Sequence, residues 1–334
     1  MGARLLEPVM SAIRVGILGA ARIAPKAVIV PARSNPEFEI VAVGARDKDR
    51  AKAFAAEHDI PHVADGYSTL IARDDVDLIY LALPPAGHLQ WAAAAAKAGK
   101  AVLCEKPFAM NAGEAREMVA AADAAKRPLI EAFHNRFHPV IGRAIQVVAS
   151  GELGRLVEAR AVFDVEIAYT PTELRWLPAQ GGGALMDLGC YCVHALRAIA
   201  GSEPKVAGAT CTIVHGVDET TAAELVFPNG LKATFHTTMK SPKFVPTLHF
   251  KGEKGTLDIS NFISPYDFCD FTVKAGGKTR VEPMAGPTTY DLQLAHVADV
   301  MLRGATPLTG GADAVANMEC IDAVYEAAGY TRAG

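Results

Sequence analysis

Short apolar runs alternate with longer helical patterns along the first 130 residues of the chain. Strands alternating with helices predict a parallel sheet with both faces covered, because each helix returns the chain to the edge where the next strand starts. Stretches rich in alanine repeat apolar positions at helical spacing at residues 49–58, 88–99 and 112–126. The apolar runs that predict strands are residues 13–18, 39–45, 76–83, 100–104 and 128–133.

The pattern changes after residue 150, where β-rich segments follow one another through short turns. Residues 227–230, Phe-Pro-Asn-Gly, predict a hairpin, because Asn-Gly favours the backbone conformations of a tight turn. The second half is therefore predicted to form an open, mostly antiparallel sheet, with helices at residues 183–201, 289–304 and 312–330. Its β-rich segments are residues 155–168, 205–216, 218–227, 231–239, 247–252, 255–260 and 270–275.

Length and composition are typical of a globular protein with two domains. The chain has 334 residues, of which 50% are hydrophobic and 21% are charged, and its formal net charge is -4. This charge argues against nucleic acid or an anionic membrane as a partner, because both are bound through a basic face. No apolar run reaches the length of about 18 residues that a membrane span requires.

The first ten residues contain no basic region followed by an apolar core and no twin arginine, so they do not match a secretion signal. We expect residues 1–10 to form a disordered extension, with either Met1 or Met10 as the natural start. The six cysteines are scattered and form no CxxC pair. Free thiols and a cytoplasmic location are therefore expected.

The first predicted strand leads into a loop with the sequence Gly-Ala-Ala-Arg-Ile-Ala. A G-x-G-x-x-G/A loop opening a βαβ unit binds the pyrophosphate of a dinucleotide at the N-terminus of the helix that follows. Here Gly19 keeps the first glycine, whereas Ala21 replaces the second and Ala24 the third. The methyl group of Ala21 crowds the approach that glycine permits, and packing alone also favours small residues in such turns. The predicted cofactor contacts are Gly19, Ala21, Arg22 and Ile23.

The end of the second predicted strand should carry the residue that recognises the ribose of the cofactor. An acid at this point binds the 2′-hydroxyl of NAD, whereas an arginine without the acid suits the 2′-phosphate of NADP. The chain has Ala45 there, followed by Arg46, whose planar guanidinium can pair with a phosphate. A solvated arginine at a strand end is the alternative. We predict NADP as the cofactor, with NAD as the second candidate.

Five stretches together resemble the glucose-fructose oxidoreductase, inositol dehydrogenase and rhizopine-catabolism (MocA) family, in the order and spacing of that family. The resemblance covers nearly the whole chain. It implies an α/β Rossmann domain with a doubly wound parallel sheet at residues 11–133, and an α+β domain for substrate binding and oligomerisation at residues 134–334. The five stretches are GILGAARIAP (16–25), CEKPFAMN (104–111), EAFHNRFHP (131–139), GELGRLVEARAVF (151–163) and GGGALMDLGCYCVHALR (181–197).

The resemblance also implies catalytic residues. In the family, a Glu-Lys-Pro tripeptide lies beside the nicotinamide at the end of the fifth strand, and its lysine, here Lys106, is catalytic. Asp187 and Tyr191 match the family's second motif and share one face of a predicted helix. A tyrosine at this position resembles the dihydrodiol dehydrogenase and NADP-dependent xylose dehydrogenase branch. Tyr191 would then be the general acid/base, with its pKa lowered by Lys106, although a buried tyrosine with a satisfied hydroxyl is the alternative.

Other matched positions imply contacts with the cofactor or the substrate. Pro84, His88, Glu105 and Lys106 lie in segments that pass the cofactor in the family and are predicted to contact it, although His88 can equally start a helix. We expect no metal site, because His134 and His138 form an HxxxH spacing without a third ligand or a glutamate. The candidate substrate contacts are Arg136, His138, Arg175 and Trp176, of which the tryptophan can equally pack on its own domain.

The sequence thus predicts an NADP-dependent oxidoreductase acting on a secondary alcohol or carbonyl of a sugar, a polyol or a cyclic trans-diol. A homodimer or homotetramer formed through the C-terminal sheet is expected, because an open sheet face must be covered. Two alternatives stay open: an NAD-dependent glycosidase of the same fold, and a non-catalytic regulator that senses a dinucleotide or a sugar. Retention of Lys106, Asp187 and Tyr191 together argues against the regulator.

Overall fold

The computed structural model describes residues 12–332, and its first half is organised by a parallel sheet. Strands β1–β6 are Ile13–Leu18, Phe38–Gly44, His62–Ala64, Leu78–Leu81, Ala101–Cys104 and Leu129–Glu131. They pair in the order β3-β2-β1-β4-β5-β6, and every pair is parallel. The expected extension at residues 1–10, and with it the choice between Met1 and Met10, lies outside the described residues.

Helices connect these strands and cover the sheet. Every residue of β4 and β5 is buried, as the continuous apolar runs predict for strands covered on both faces. Strand β1 pairs with β2 on one side and β4 on the other, so the strand order reverses there and a crevice opens at the carboxyl ends. A wide helical turn at Pro25–Ile29 leads into α1, and helices α1–α5 are Val30–Arg33, Lys48–Glu57, Tyr67–Ile71, His88–Lys97 and Ala112–Ala125.

The second half forms an eight-stranded sheet. Strands β7–β14 are Leu156–Glu166, Lys205–Val214, Val217–Val226, Lys232–Thr238, Lys240–Gly252, Gly255–Ile259, Asp270–Ala275 and Lys278–Pro283. Their order is β14-β13-β12-β11-β7-β10-β9-β8, antiparallel except for the parallel pair β7 and β10. The predicted hairpin joins β9 to β10, and the amide of Gly230 donates to the carbonyl of Phe227 over 2.9 Å. The predicted fold class is therefore confirmed for both halves.

One face of the second sheet is covered by helices α7, Cys190–Ala200, and α9, Gly311–Ala327, and helix α6, Pro139–Ala149, packs against α7. Strand β7 shows the consequence: Ala159 and Ala161 are buried, whereas Glu158 and Arg160 are exposed on the opposite face. Within residues 12–332, no helix combines the length and the apolar composition that crossing a membrane requires.

Helix α8, Thr289–Arg303, returns to the first sheet although it lies late in the chain. Its Leu294 and Val297 are fully buried in the same apolar cluster as Ile13 and Val15 of β1. The late part of the chain thus contributes to the core around the parallel sheet. This packing places the start of α8 beside the crevice at the carboxyl ends of the strands.

Candidate active site

A cavity of about 460 Å³ lies between the carboxyl edge of the first sheet and strand β7 of the second. Phe163 and Val165 of β7 form one wall, and the loops after β1, β4 and β5 form the opposite wall. This is the place where open α/β sheets bind dinucleotides and their substrates.

The loop after β1 fits the pyrophosphate of a dinucleotide at its first position. Gly19 has φ +109°, and its amide donates to the carbonyl of Gly44 over 2.8 Å. A Cβ atom on Gly19 would lie 2.8 Å from the carbonyl oxygen of Ala82, so only glycine fits there. The next predicted contacts, Ala21, Arg22 and Ile23, all line the cavity.

Arginines near this loop differ in their partners. Arg46 is exposed next to the buried Ala45, and no hydrogen bond joins its side chain to the residues that the structure describes. Its guanidinium is therefore available to a phosphate. Arg50, which the sequence analysis did not single out, donates to the carbonyl of Ala20 over 2.8 Å and so ties α2 to the phosphate loop.

Arg22 is linked to the second half of the chain. Its guanidinium donates to Glu173 over 2.8 Å, and the other oxygen of Glu173 accepts from Arg175 over 3.0 Å. The segment that carries Glu173 therefore lies against the phosphate loop. Cavity residues from both halves of the chain are joined by these ion pairs.

Lys106 and Asp187 form a partly buried ion pair that lines the cavity. The Lys106 ammonium donates to a carboxylate oxygen and to the backbone carbonyl of Asp187, both over 2.7 Å, and Arg175 donates to the second carboxylate oxygen over 2.8 Å. Burial alone raises the pKa of the Asp187 carboxyl, but Lys106 and Arg175 outweigh burial and hold that pKa well below its usual range. Asp187 therefore stays ionised and fixes the position of Lys106.

Tyr191 lies beside this pair with its hydroxyl unpaired. Its side chain is buried against Phe133 and Phe163, with ring centroids 5.2 and 5.8 Å away, and it lines the cavity. No hydrogen bond reaches the hydroxyl from the described part of the chain, so the group is free to bind a ligand. The Lys106 ammonium lies 5.0 Å from the centroid of the Tyr191 ring.

The predicted direction of the Tyr191 pKa shift is wrong for this structure. Burial raises the pKa of Tyr191 well above its usual value, and the nearby tyrosine and acidic groups act in the same direction. Lys106 does not offset this effect, because its ammonium faces the ring and is paired with Asp187. Tyr191 is therefore a neutral phenol that can donate a proton.

Glu105 and Lys106 point to different partners, as adjacent residues at a strand end do. Glu105 accepts a hydrogen bond of 2.5 Å from the hydroxyl of Tyr80 in β4. Burial raises the pKa of the Glu105 carboxyl. The peptide bond between Lys106 and Pro107 is cis. Glu105, Lys106, Pro107 and the predicted Pro84 all line the cavity.

The structure adds His134 and Tyr290 to the cavity wall. Their rings are stacked with centroids 4.2 Å apart, and Nδ1 of His134 lies 2.8 Å from the Thr289 hydroxyl. Burial, with help from Lys106 and Lys26, lowers the pKa of His134 to about 3, so its ring is neutral at physiological pH. This pair could not be predicted from the sequence, because α8 brings Tyr290 to His134 from a distant part of the chain.

His88 does not line the cavity, which corrects its predicted contact with the cofactor. Its ring is fully buried at the start of α4, with Nδ1 3.0 Å from the carbonyl of Phe108 and Nε2 2.8 Å from that of Leu83. His88 therefore holds two of the loops around the cavity together. Its role is to position Pro84 and the residues after Lys106.

Three of the four candidate substrate contacts also lie away from the cavity, namely Arg136, His138 and Trp176. Nδ1 of His138 accepts from the amide of Val140 over 3.2 Å and so caps α6. The indole of Trp176 is buried and donates to the carbonyl of Ile167 over 2.9 Å. Across residues 12–332, no three His, Cys, Asp or Glu side chains converge as metal ligands would.

Two protein-family models match the chain. Residues 13–133 match a model described as "Oxidoreductase family, NAD-binding Rossmann fold", and residues 141–258 match one described as "GFO/IDH/MocA C-terminal domain". The first match covers the parallel sheet, and the second begins in α6 and ends in β12 of the second sheet.

This chain is similar to curated proteins and solved structures over most of their length. The chain is 34% identical to D-xylose 1-dehydrogenase (NADP(+)) 2 of Haloferax volcanii over 94% of this chain and 96% of that protein. It is 35% identical to mouse trans-1,2-dihydrobenzene-1,2-diol dehydrogenase over 76% of each. KijD10, a 3-ketoreductase from Actinomadura kijaniata solved with NADP and TDP-benzene, has a TM-score of 0.88 and 25% identity, and the match covers 95% of this chain and 98% of that one.

Proposed function

The chain belongs to the GFO/IDH/MocA family of oxidoreductases, and we propose from this premise that it is an NADP-dependent dehydrogenase or reductase. Its substrate is a secondary alcohol or the matching carbonyl of a sugar, a polyol or a cyclic trans-diol. One observation supports this most: the unpaired Tyr191 hydroxyl and the Lys106 ammonium line the same cavity as the phosphate loop. The relatives named for xylose and for a trans-dihydrodiol supply the substrate classes.

The dinucleotide would lie along the residues that fit it. Gly19, Ala21, Arg22 and Ile23 would hold the pyrophosphate, Arg46 the 2′-phosphate, and Pro84 with Glu105 the nicotinamide end. When bound, the nicotinamide supplies or accepts the hydride. The protein contributes the position of the substrate and the handling of its proton.

Tyr191 is the group proposed to handle that proton. In carbonyl reduction its neutral phenol donates a proton to the substrate oxygen, and in alcohol oxidation its phenolate accepts that proton. Lys106 lies at the same end of the cavity and stabilises the negative charge that develops on the substrate oxygen. Asp187 holds Lys106 in place and is itself held by Arg175, so this arrangement exists before the substrate binds.

An absorbance assay of the nicotinamide tests the proposal. We would mix the enzyme with NADP or NAD and with aldopentoses, aldohexoses, inositols and trans-cyclohexanediols in turn. Reduction of NADP by one class of compound supports the proposal. An NAD-dependent glycosidase would instead hydrolyse an aryl glycoside without a net change in the nicotinamide band. A regulator would bind the dinucleotide and turn over nothing in the panel.

Replacing Arg46 with alanine is expected to raise the KM for NADP roughly tenfold to a hundredfold, because a charge-assisted bond to the 2′-phosphate is lost. The KM for NAD, which lacks that phosphate, serves as the internal control and should change less than about threefold. Steady-state kinetics with both cofactors measure this. An equal increase for the two cofactors would show that Arg46 does not recognise the 2′-phosphate.

The kcat/KM for alcohol oxidation is expected to rise with pH. The kcat/KM for carbonyl reduction is expected to fall once the pH exceeds the pKa of Tyr191. The sign follows from burial, which raises the pKa of Tyr191, so the phenolate needed as a base is the minor form at neutral pH. Asp187 stays ionised and His134 stays neutral over this range, so neither explains such a rise. Profiles of kcat/KM from pH 6 to 10 measure it, and a flat oxidation profile would contradict the assignment.

The outward face of the second sheet is the proposed contact between subunits. It is open along β7, where Glu158 and Arg160 are exposed. Two cross-strand pairs lie among these strands, His236 with Asp164 over 2.8 Å and His249 with Asp258 over 2.7 Å. We place the domain division near residue 133, so that residues 134–334 would supply both the substrate wall and this contact.

A further inference from the structure

Most polar side chains of the cavity are already paired with protein groups. Lys106 and Arg175 bind Asp187, Glu105 binds Tyr80, and Arg22 binds Glu173. Among the described residues, the polar lining side chains that form no hydrogen bond are those of Tyr191, Tyr290 and Gln180, and His134 keeps its Nε2 without a protein partner. A bound hydroxyl compound can form its hydrogen bonds with these groups, with the remaining proton of Lys106 and with the unpaired atoms of Glu105, Arg22 and Arg175.

His134 is built to present one nitrogen to a ligand. Its Nδ1 is 2.8 Å from the Thr289 hydroxyl, which fixes the ring, and the stacked Tyr290 prevents the ring from turning. Its Nε2 has no partner in the described chain, although the side chain is only 5% exposed. Because the ring is neutral, Nε2 forms an ordinary hydrogen bond with a hydroxyl and offers no charge.

The position of His134 relates it to the reacting oxygen. Its ring makes an edge contact with the Tyr191 ring, with centroids 5.6 Å apart, and both residues line the cavity. Neighbouring oxygens on a six-membered ring are separated by about one hydrogen-bond length. A substrate whose reacting oxygen meets Tyr191 would therefore place its next oxygen near His134.

We propose that Nε2 of His134 binds the hydroxyl adjacent to the reacting carbon and so makes the enzyme selective for vicinal diols over isolated alcohols. This inference rests on the proposed oxidoreductase function and specifies its substrate. His134 is a specificity residue that holds the substrate and transfers no proton. A site that bonds a substrate hydroxyl discriminates strongly against the analogue that lacks it, because the protein group is then left unpaired.

Two substitutions at position 134 separate this role from simple packing. His134→Asn keeps a polar atom near the Nδ1 position for Thr289 and removes Nε2, whereas His134→Gln keeps a polar atom near the Nε2 position. We would measure kcat/KM for trans-cyclohexane-1,2-diol and for cyclohexanol. His134→Asn is expected to lower the diol-to-cyclohexanol ratio roughly tenfold to a hundredfold, and His134→Gln is expected to restore part of the ratio.

Three results would overturn the inference. The first is an equal loss for both compounds in His134→Asn, which would mean that His134 only shapes the cavity. The second is an unchanged kcat/KM for both compounds in His134→Asn. The third is a lower diol-to-cyclohexanol ratio of kcat/KM in Tyr290→Phe together with no decrease of that ratio in His134→Asn. This result would assign recognition of the adjacent hydroxyl to Tyr290. Circular dichroism melts of each variant exclude unfolding as the cause.

A binding measurement keeps this test separate from the proposed reaction. If the wild-type enzyme turns over neither compound, the oxidoreductase proposal fails for these substrates. The Kd of the diol for the wild-type protein and for His134→Asn, each loaded with NADPH, is then compared by calorimetry. Weaker diol binding to His134→Asn supports the inference, and equal binding overturns it.

Discussion

Replacing Lys106 with methionine is expected to lower kcat/KM for the best substrate roughly a thousandfold. The substitution keeps the length of the apolar stem and removes the ammonium that stabilises charge on the substrate oxygen. Asp187 keeps its bond of 2.8 Å to Arg175 in this variant, so its carboxylate is not left without a partner. The measurement is steady-state turnover together with NADPH binding followed by nicotinamide fluorescence.

Binding is the control for the Lys106→Met variant. The Kd of NADPH should stay within about threefold of the wild-type value, because the phosphate loop and Arg46, and not Lys106, would hold the phosphates of the cofactor. Lys106→Arg, which keeps the charge in a different shape, should retain more activity than Lys106→Met. A loss of less than tenfold in Lys106→Met, or a loss explained by weaker cofactor binding, would contradict the catalytic role.

Replacing Tyr191 with phenylalanine is expected to lower kcat roughly a hundredfold to ten-thousandfold, which is the range for removal of a general acid or base. The fold should tolerate the change, because no described residue bonds the Tyr191 hydroxyl and the ring contacts with Phe133 and Phe163 remain. The variant should therefore melt at nearly the wild-type temperature. The remaining kcat/KM for alcohol oxidation in this variant should also no longer rise with pH.

The second phenol of the cavity provides a matched comparison for Tyr191→Phe. Tyr290→Phe removes a hydroxyl from the same cavity, and its ring can still stack on His134. Its effect on kcat should be at least about tenfold smaller than that of Tyr191→Phe. Equal effects of the two substitutions would mean that Tyr191 has no special role in proton transfer.

The parallel sheet and its cofactor loop could be predicted because their signals are local. Strands β4 and β5 are continuous apolar runs, and Gly19 follows directly on β1. Shorter elements show no usable periodicity of hydrophobic positions, because β3 has three residues and α3 has five. Periodicity needs more residues than these to distinguish a helix from a strand.

The candidate site was predictable only in part, because its residues meet through tertiary packing. The sequence assigned Lys106, Asp187 and Tyr191 by resemblance, and the structure brings the three together in one cavity. It gave no indication that Tyr290 would stack on His134, since α8 reaches the first sheet from the end of the chain.

The direction of the Tyr191 pKa shift was mispredicted for a related reason. The match of Lys106 and Tyr191 to motifs of one family suggested that the positive charge of the lysine would lower the pKa of the tyrosine. The degree of burial of Tyr191 and the pairing of Lys106 with Asp187 are, however, properties of the folded chain. The same limit applies to His88 and His138. Both occupy positions that suggested cofactor or substrate contact, and both serve to hold local backbone in place.

Transfer of deuterium from a labelled substrate tests the central claim most directly. The substrate found in the absorbance assay would be prepared with deuterium on its carbinol carbon and incubated with NADP and the wild-type enzyme or Tyr191→Phe. The account predicts one deuterium in the reduced nicotinamide for each molecule of ketone or lactone formed, with the rate greatly reduced in the variant. Reduced nicotinamide without deuterium, or a product formed without reduced nicotinamide, would contradict it.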